Sequence, residues 1–269
     1  MRRTFSILPV AVMLILWLIG CTQNNNHRLS VAAQSSGDPI WHYSVIDAMR
    51  NGIYEGEYSI KDMKEHGDFG LGTYNYLDGE LIALDGVFYR ILPSGKVEVA
   101  SEEKRSPFTA ITFFHPDTTV QLSFTGNLDT LLRNILQILP ANNLPYALKI
   151  TATWQNITVG GANPVDKNDT TGLAVLMQSR PQYKGTGIKG TMVGYYTPAL
   201  MSNIDLSPFH FHFISEDKKL AGHIMSGNLN NAKLTVIIDE KSGYQVNLLN
   251  YNERFRKLSF ESKAASATY

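Results

Sequence analysis

One cysteine in 269 residues removes two options at once: no intramolecular disulfide can form, and no thiolate cluster can hold a metal. Charge of one sign is missing too. Lys+Arg and Asp+Glu stand at 24 each, a net charge of +0, so there is no basic footprint for nucleic acid. No repeat of fixed period is present. Histidine is scarce, at 7 residues. What remains is ordinary globular material, 43% hydrophobic and 10% aromatic, long enough to bury a sizeable core.

The N-terminus reads as an address rather than as fold. "MRRTFSILPVAVMLILWLIGC" has two arginines, an apolar stretch and a small residue, which is the pattern of an export signal. Leu18-Ile19-Gly20-Cys21 resembles the bacterial lipobox, in which the cysteine becomes the lipidated N-terminus. The expected organisation is a lipoprotein signal peptide over 1–20 and a polar tether over 21–39. An α+β sheet domain over 40–145 and a β-rich domain over 146–269 follow. The chain is then exported and held to a membrane through acyl chains on Cys21.

In the body, "WHYSVIDAMRNGIYEG" has helical spacing at Val45, Ile46 and Met49, and "SIKDMKEHG" offers Ser59 as a cap and Gly67 as a stop. "LIALDGVFYRILPSGKVEVA" carries two turn signals and predicts three short strands. "FTAITFFH", apolar on both parities, predicts a buried strand. "NLDTLLRNILQILP" predicts the best helix, capped by Asn127 or Asp129 and closed by Pro140. From Tyr146 the texture is strands: "YALKITATWQNITV", a polar loop, "KGTMVGYYTP", "PFHFHFI", "GHIMSGNL", "AKLTVIIDE" and "YQVNLLN". The predicted fold class is α+β, two layered mixed or antiparallel sheets with a few helices.

Three of the seven histidines fall within "PFHFHFISEDKKLAGHIM". On a strand, residues two apart share a face, roughly 6–7 Å apart at the backbone. His210 and His212 therefore project together, and Phe209, Phe211 and Phe213 face the other layer. "SEDKKLAG" is turn-forming and would return "GHIM" alongside, bringing His223 to the pair. Three convergent imidazoles suit a catalytic zinc with an open position, although copper, nickel or iron also accept them. A solvated polar face is the plainer alternative. His27 lies in the tether, and His42 and His115 border predicted elements, so surface or helix-end roles are expected for them.

Three blocks in order extend this reading. "HGDFGLGTYNYLDGELIALDGVFYRI", "SPFTAITFFHPD" and "GYYTPALMSNIDLSPFHFHFISEDKKLAGHIM" resemble the α-acetolactate decarboxylases. The resemblance implies loss of carbon dioxide from 2-acetolactate to give acetoin, with one zinc per chain on His210, His212 and His223. It places Thr73 and Glu80 near substrate and metal, with Glu80 handling a proton. Gly67, Gly70 and Gly72 serve backbone geometry, and His66 and Asp68 are structural. A small 2-hydroxy-3-oxo acid as substrate and a homodimer are implied as well.

Two departures stand out. The position at which that family carries a substrate-holding arginine falls at about Gly160, with Lys167 and Arg180 as substitute cations. The family's C-terminal glutamate has Glu261 as its nearest candidate. These departures leave room for a same-fold lyase on another 2-hydroxy-3-oxo acid, or for a zinc-binding surface lipoprotein without turnover.

Overall fold

The computed structural model describes residues 37–259, so Cys21, His27, most of the expected tether and Glu261 lie outside the described residues. β1 (Ile40–Tyr43) stands where the first helix was expected to begin. Its aromatic residues suit a strand, and Ser44, at a left-handed φ of 68°, turns the chain before a helix can start. The helix α1 is therefore confined to Ile46–Arg50. The cap at Ser59 is as expected: α2 (Ile60–Met63) opens with a capping box, in which the Ser59 amide donates to the Asp62 carboxylate at 2.8 Å and the Asp62 amide donates back to the Ser59 hydroxyl.

β2 (Phe69–Thr73), β3 (Glu80–Leu84), β4 (Val87–Ile91), β5 (Val97–Val99) and β6 (Phe108–Thr112) follow. The expected three-strand meander is β3 to β5. β6 is buried at every position, as its apolar content on both parities requires. With β1 they form a sheet covered on both faces. Trp41, Leu81, Ala83 and Phe88 pack outward against Ile60 and Met63 of α2. Phe69, Leu71 and Ile82 pack inward.

β7 (Thr118–Asn127), which has no counterpart among the expected strands, alternates between half-buried and exposed positions. It feeds α3 (Leu128–Ile138), where Asn127 is the cap, its side-chain oxygen accepting from the Thr130 amide at 2.9 Å. β8 (Tyr146–Gly160), β9 (Gln182–Tyr196), β10 (Phe209–Ser215) and β11 (Ala221–Glu240) are long antiparallel strands. β11 is continuous where two short strands were expected; a bulge between Leu229 and Ala232 absorbs the break. β8 pairs with β9, β9 with β10, β10 with β11 and β11 with β8, so the four close into a ring. β7 is added outside on β11. Between β8 and β9 the polar loop stands where it was expected, over 161–172, and is followed by α4 (Leu173–Leu176) and a 3₁₀ turn (Met177–Ser179), which were not expected. β12 (Tyr244–Asn247) and α5 (Glu253–Lys257) end the described chain.

The boundary expected near residue 145 falls between α3 and β8, and two strands cross it: β12 pairs in parallel with β1 in the first sheet, and β7 edges the second. The layers meet where Phe69, Leu71 and Ile82 pack on Val193, Tyr195 and Ile214. Burial of side chains of this size is worth about 1.5–3 kcal/mol each. The Tyr195 hydroxyl adds a polar stitch, 3.1 Å from the carbonyls of both Phe69 and Ala110. Among the described residues no helix is long and apolar enough to cross a membrane.

Candidate active site

The alternation along β10 is as expected. Phe211 and Phe213 enter the core under α3, and His210 and His212 point the other way, with 5% and 1% exposure. Ser215 closes the following turn, its hydroxyl oxygen accepting from the amides of Lys219 and Leu220. β11 then returns with His223 directly opposite His212. The three rings form a nearly equilateral triangle, with centroids 5.3, 5.3 and 5.4 Å apart. One ligand atom from each lies within 4.8 Å of the others, so the three could hold a metal ion.

What stands behind the rings orients them. His212 Nδ1 donates to the Leu81 carbonyl at 2.9 Å, and His210 Nδ1 lies 2.8 Å from Oδ1 of the fully buried Asp205. Acceptors at Nδ1 leave the Nε2 lone pair free to face the site. Burial, and next the neighbouring His210, push His212 and His223 well below the ordinary imidazole range. They are neutral nitrogen donors. Burial opposes ionisation of Asp205, but His210 and His42 on its two sides hold its carboxyl well below the usual range.

His42 departs from its expected surface role. It is fully buried in β1, with Nδ1 3.0 Å from the Ser44 carbonyl and Nε2 3.7 Å from Asp205. The strand that replaced the expected helix is covered on both faces, and this carries His42 inside. His115 is exposed beside Asp38, at 3.5 Å. His66 stacks on Trp41 at 4.1 Å, and the Asp68 carboxylate accepts from the Phe114 amide, both structural as expected.

Thr73 and Glu80 are direct partners across the β2–β3 pair. The Thr73 hydroxyl donates to the Gly79 carbonyl at 2.9 Å, which pins the turn that launches Glu80. The Glu80 carboxylate, 8% exposed, lies 3.8 Å from His212 Nε2 and 3.9 Å from the Arg180 guanidinium. Burial pushes it up to about 7, opposed by Arg180 and His210. A Cβ at Gly72 would lie 2.4 Å from the Phe108 carbonyl, so glycine there serves the close approach of β2 to β6.

These groups line one cavity of ≈ 260 Å³. Its polar lining is the three histidines, Thr73, Glu80, Arg180 and Arg50, and Ile46, Met49, Phe108 and Met177 belong to its apolar lining. Of the two candidate cations, Arg180 lines this cavity, whereas Lys167 sits 5.8 Å above the Tyr76 ring outside it. Asp205 and the Leu81 carbonyl were not anticipated. An acidic residue a few positions before a histidine pair is the only local hint of Asp205, and a backbone acceptor leaves none.

The alpha-acetolactate decarboxylase family model matches residues 40–262. The Bacillus licheniformis alpha-acetolactate decarboxylase is 33% identical over 219 residues, which is 81% of this chain and 85% of that protein. The Methanosarcina mazei protein of the same name is 33% identical over 193 residues, covering 72% and 67%. The crystal structure of alpha-acetolactate decarboxylase from Bacillus subtilis superposes with a TM-score of 0.79 at 30% identity, covering 84% of this chain and 95% of that one. The chain belongs to the alpha-acetolactate decarboxylase family of carboxy-lyases.

Proposed function

We propose that this protein decarboxylates 2-acetolactate to acetoin, with one zinc ion held by His210, His212 and His223. The observation that carries the reading is the convergence of three imidazoles within 4.8 Å, two of them held through Nδ1, in the wall of a largely apolar cavity. Three imidazole nitrogens facing a cavity fit a catalytic zinc, which keeps a position open to substrate. When bound, the ion supplies a Lewis acid for the negative charge that develops on the ketone oxygen.

The chain's own residues do the rest. The largely apolar lining weakens solvent screening around the reacting carbons, so charged contacts inside are stronger than in solvent. As the bond from the carboxylate carbon to C2 breaks, its electron pair moves toward the ketone oxygen, and one proton must reach C2 to give acetoin. Glu80, buried beside His212, is the group placed to hold and deliver that proton. Thr73 acts through the turn it pins.

The test is acetoin release from racemic 2-acetolactate by purified protein, before and after chelation, with metal analysis of the same sample. Turnover that chelation abolishes and zinc restores is expected; metal-independent turnover, or none at all, overturns the reading. The family resemblance puts a substrate-holding arginine at about Gly160, and its absence from this chain favours a second reading, the same chemistry on another 2-hydroxy-3-oxo acid. Relative kcat/KM across such acids separates the two.

The lipobox-like Leu18–Cys21 supports export and lipid anchoring. Cys21→Ala should release the protein from the membrane fraction and abolish its labelling by radioactive palmitate. Light scattering on the purified protein tests the homodimer that the family resemblance implies.

A further inference from the structure

We infer that Arg180 receives the substrate's carboxylate, reaching the cavity across the bare backbone of Gly160; the substrate class in this inference rests on the decarboxylase reading above. Two cations among the described residues line the cavity, Arg50 and Arg180. Arg50 is engaged with Asp47 at 2.7 Å and its side chain is 46% exposed. Arg180 is 14% exposed and belongs to the interior.

Its guanidinium is both held and available. Nε donates to the Gly161 carbonyl at 3.1 Å, which fixes the plane of the group. The nearest carboxylate, Glu80, is 3.9 Å from Nη2, beyond hydrogen-bonding distance. Among the described residues no acceptor hydrogen-bonds to either terminal nitrogen. A planar fork anchored at one edge and open at the other is suited to a carboxylate, which it can engage through two parallel hydrogen bonds.

Gly160 makes the reach possible. A Cβ there would lie 2.7 Å from Arg180 Nε and 3.0 Å from Cζ, so any side chain at this position would displace the guanidinium. Gly160 is also the direct partner of His223 in the β8–β11 pair. The guanidinium therefore crosses β8 beside the third histidine of the triangle. A 2-hydroxy-3-oxo acid can then place its two neutral oxygens toward the imidazoles and its carboxylate on Arg180. The carboxylate loses its charge as carbon dioxide departs, so this contact weakens along the reaction and belongs mainly to substrate binding. Its loss should appear in KM more than in kcat.

The experiment titrates the metal-loaded protein with 2-hydroxy-2-methylpropanoate, which has no oxo group and cannot react, and with its neutral amide. The wild type should prefer the acid. Arg180→Ala should weaken the acid by roughly 10- to 100-fold, the scale of a lost charged hydrogen bond, with amide affinity and metal content unchanged. Arg180→Gln, closer in shape, reads the same loss if the alanine variant folds poorly. The double variant Gly160→Arg with Arg180→Ala should restore the acid preference, because the second change vacates the space that the first fills. Acid affinity unchanged in both single variants overturns the inference. The titration does not depend on turnover. A wild type that makes no acetoin but loses its acid preference with Arg180 refutes the decarboxylase reading alone; one that makes acetoin with the KM unmoved in Arg180→Ala refutes the role of Arg180 alone.

Discussion

Asp205 stands behind His210 with no exposure to solvent, and replacing it by asparagine tests whether the histidine triangle is built to hold a metal. The carboxylate faces His210 Nδ1 at 2.8 Å, His42 Nε2 at 3.7 Å and the Leu206 amide at 2.6 Å. Asparagine is nearly the same size but has one acceptor oxygen and no charge. Oδ1 meets both the Leu206 amide and His210 Nδ1, so an asparagine oxygen in its place still accepts from both. Its NH₂ takes the place of Oδ2 beside His42, and His210 loses its charged partner, which leaves Nε2 a poorer metal donor. Losing a partner of this kind weakens metal binding typically 10- to 100-fold, about 1.4–2.8 kcal/mol. His212 is oriented by a backbone carbonyl that no substitution removes, so the loss should stay within that range. Competition between the protein and a fluorescent zinc chelator measures it, with Asp85→Asn, an exposed carboxylate on the β3–β4 turn, as the control. Affinity of Asp205→Asn equal to the wild type's would refute the reasoning.

Four further outcomes are expected from the same structure. His212→Ala should abolish metal binding and turnover together, measured by metal analysis and acetoin release; retention of both removes His212 from the metal site. Glu80→Gln should keep the metal at wild-type stoichiometry and slow turnover roughly 10²- to 10⁴-fold, the usual worth of a placed proton donor. Asp78 concerns stability against pH: burial opposes ionisation of its carboxyl, but Lys104 and Arg90 hold it below its ordinary value of 3.8. A lowered folded-state value means stability present at neutral pH and lost as pH falls through it. Asp78→Asn should therefore unfold at lower denaturant than the wild type at neutral pH, and the gap should close in acid. Ile135→Ala, at a fully buried position of α3, should cost about 2–5 kcal/mol in denaturant unfolding without changing metal content.

Much of the site was legible because it rests on short-range geometry. The two-residue period of a strand puts His210 and His212 on one face whatever the rest of the chain does, and a turn-forming segment of that length makes a hairpin that returns His223. The caps at Ser59 and Asn127 and the meander of β3 to β5 were legible for the same reason: each signal and its consequence lie within a few residues. The first helix failed where local signals compete. Apolar spacing over 41–49 favours a helix, but Trp41 and Tyr43 gain more from the covered sheet between β6 and β12, and the helix is reduced to Ile46–Arg50.

By itself, then, the sequence determined the family, the histidine triangle and Glu80 in its turn. Tertiary structure alone decided what surrounds them: Asp205 behind His210, the Leu81 carbonyl behind His212, His42 in the interior, and Arg180 rather than Lys167 in the cavity. Those choices depend on which elements, distant in sequence, come to lie against each other. That is settled by the packing of two sheets and a closed ring of strands, for which residue spacing along the chain has no direct sign.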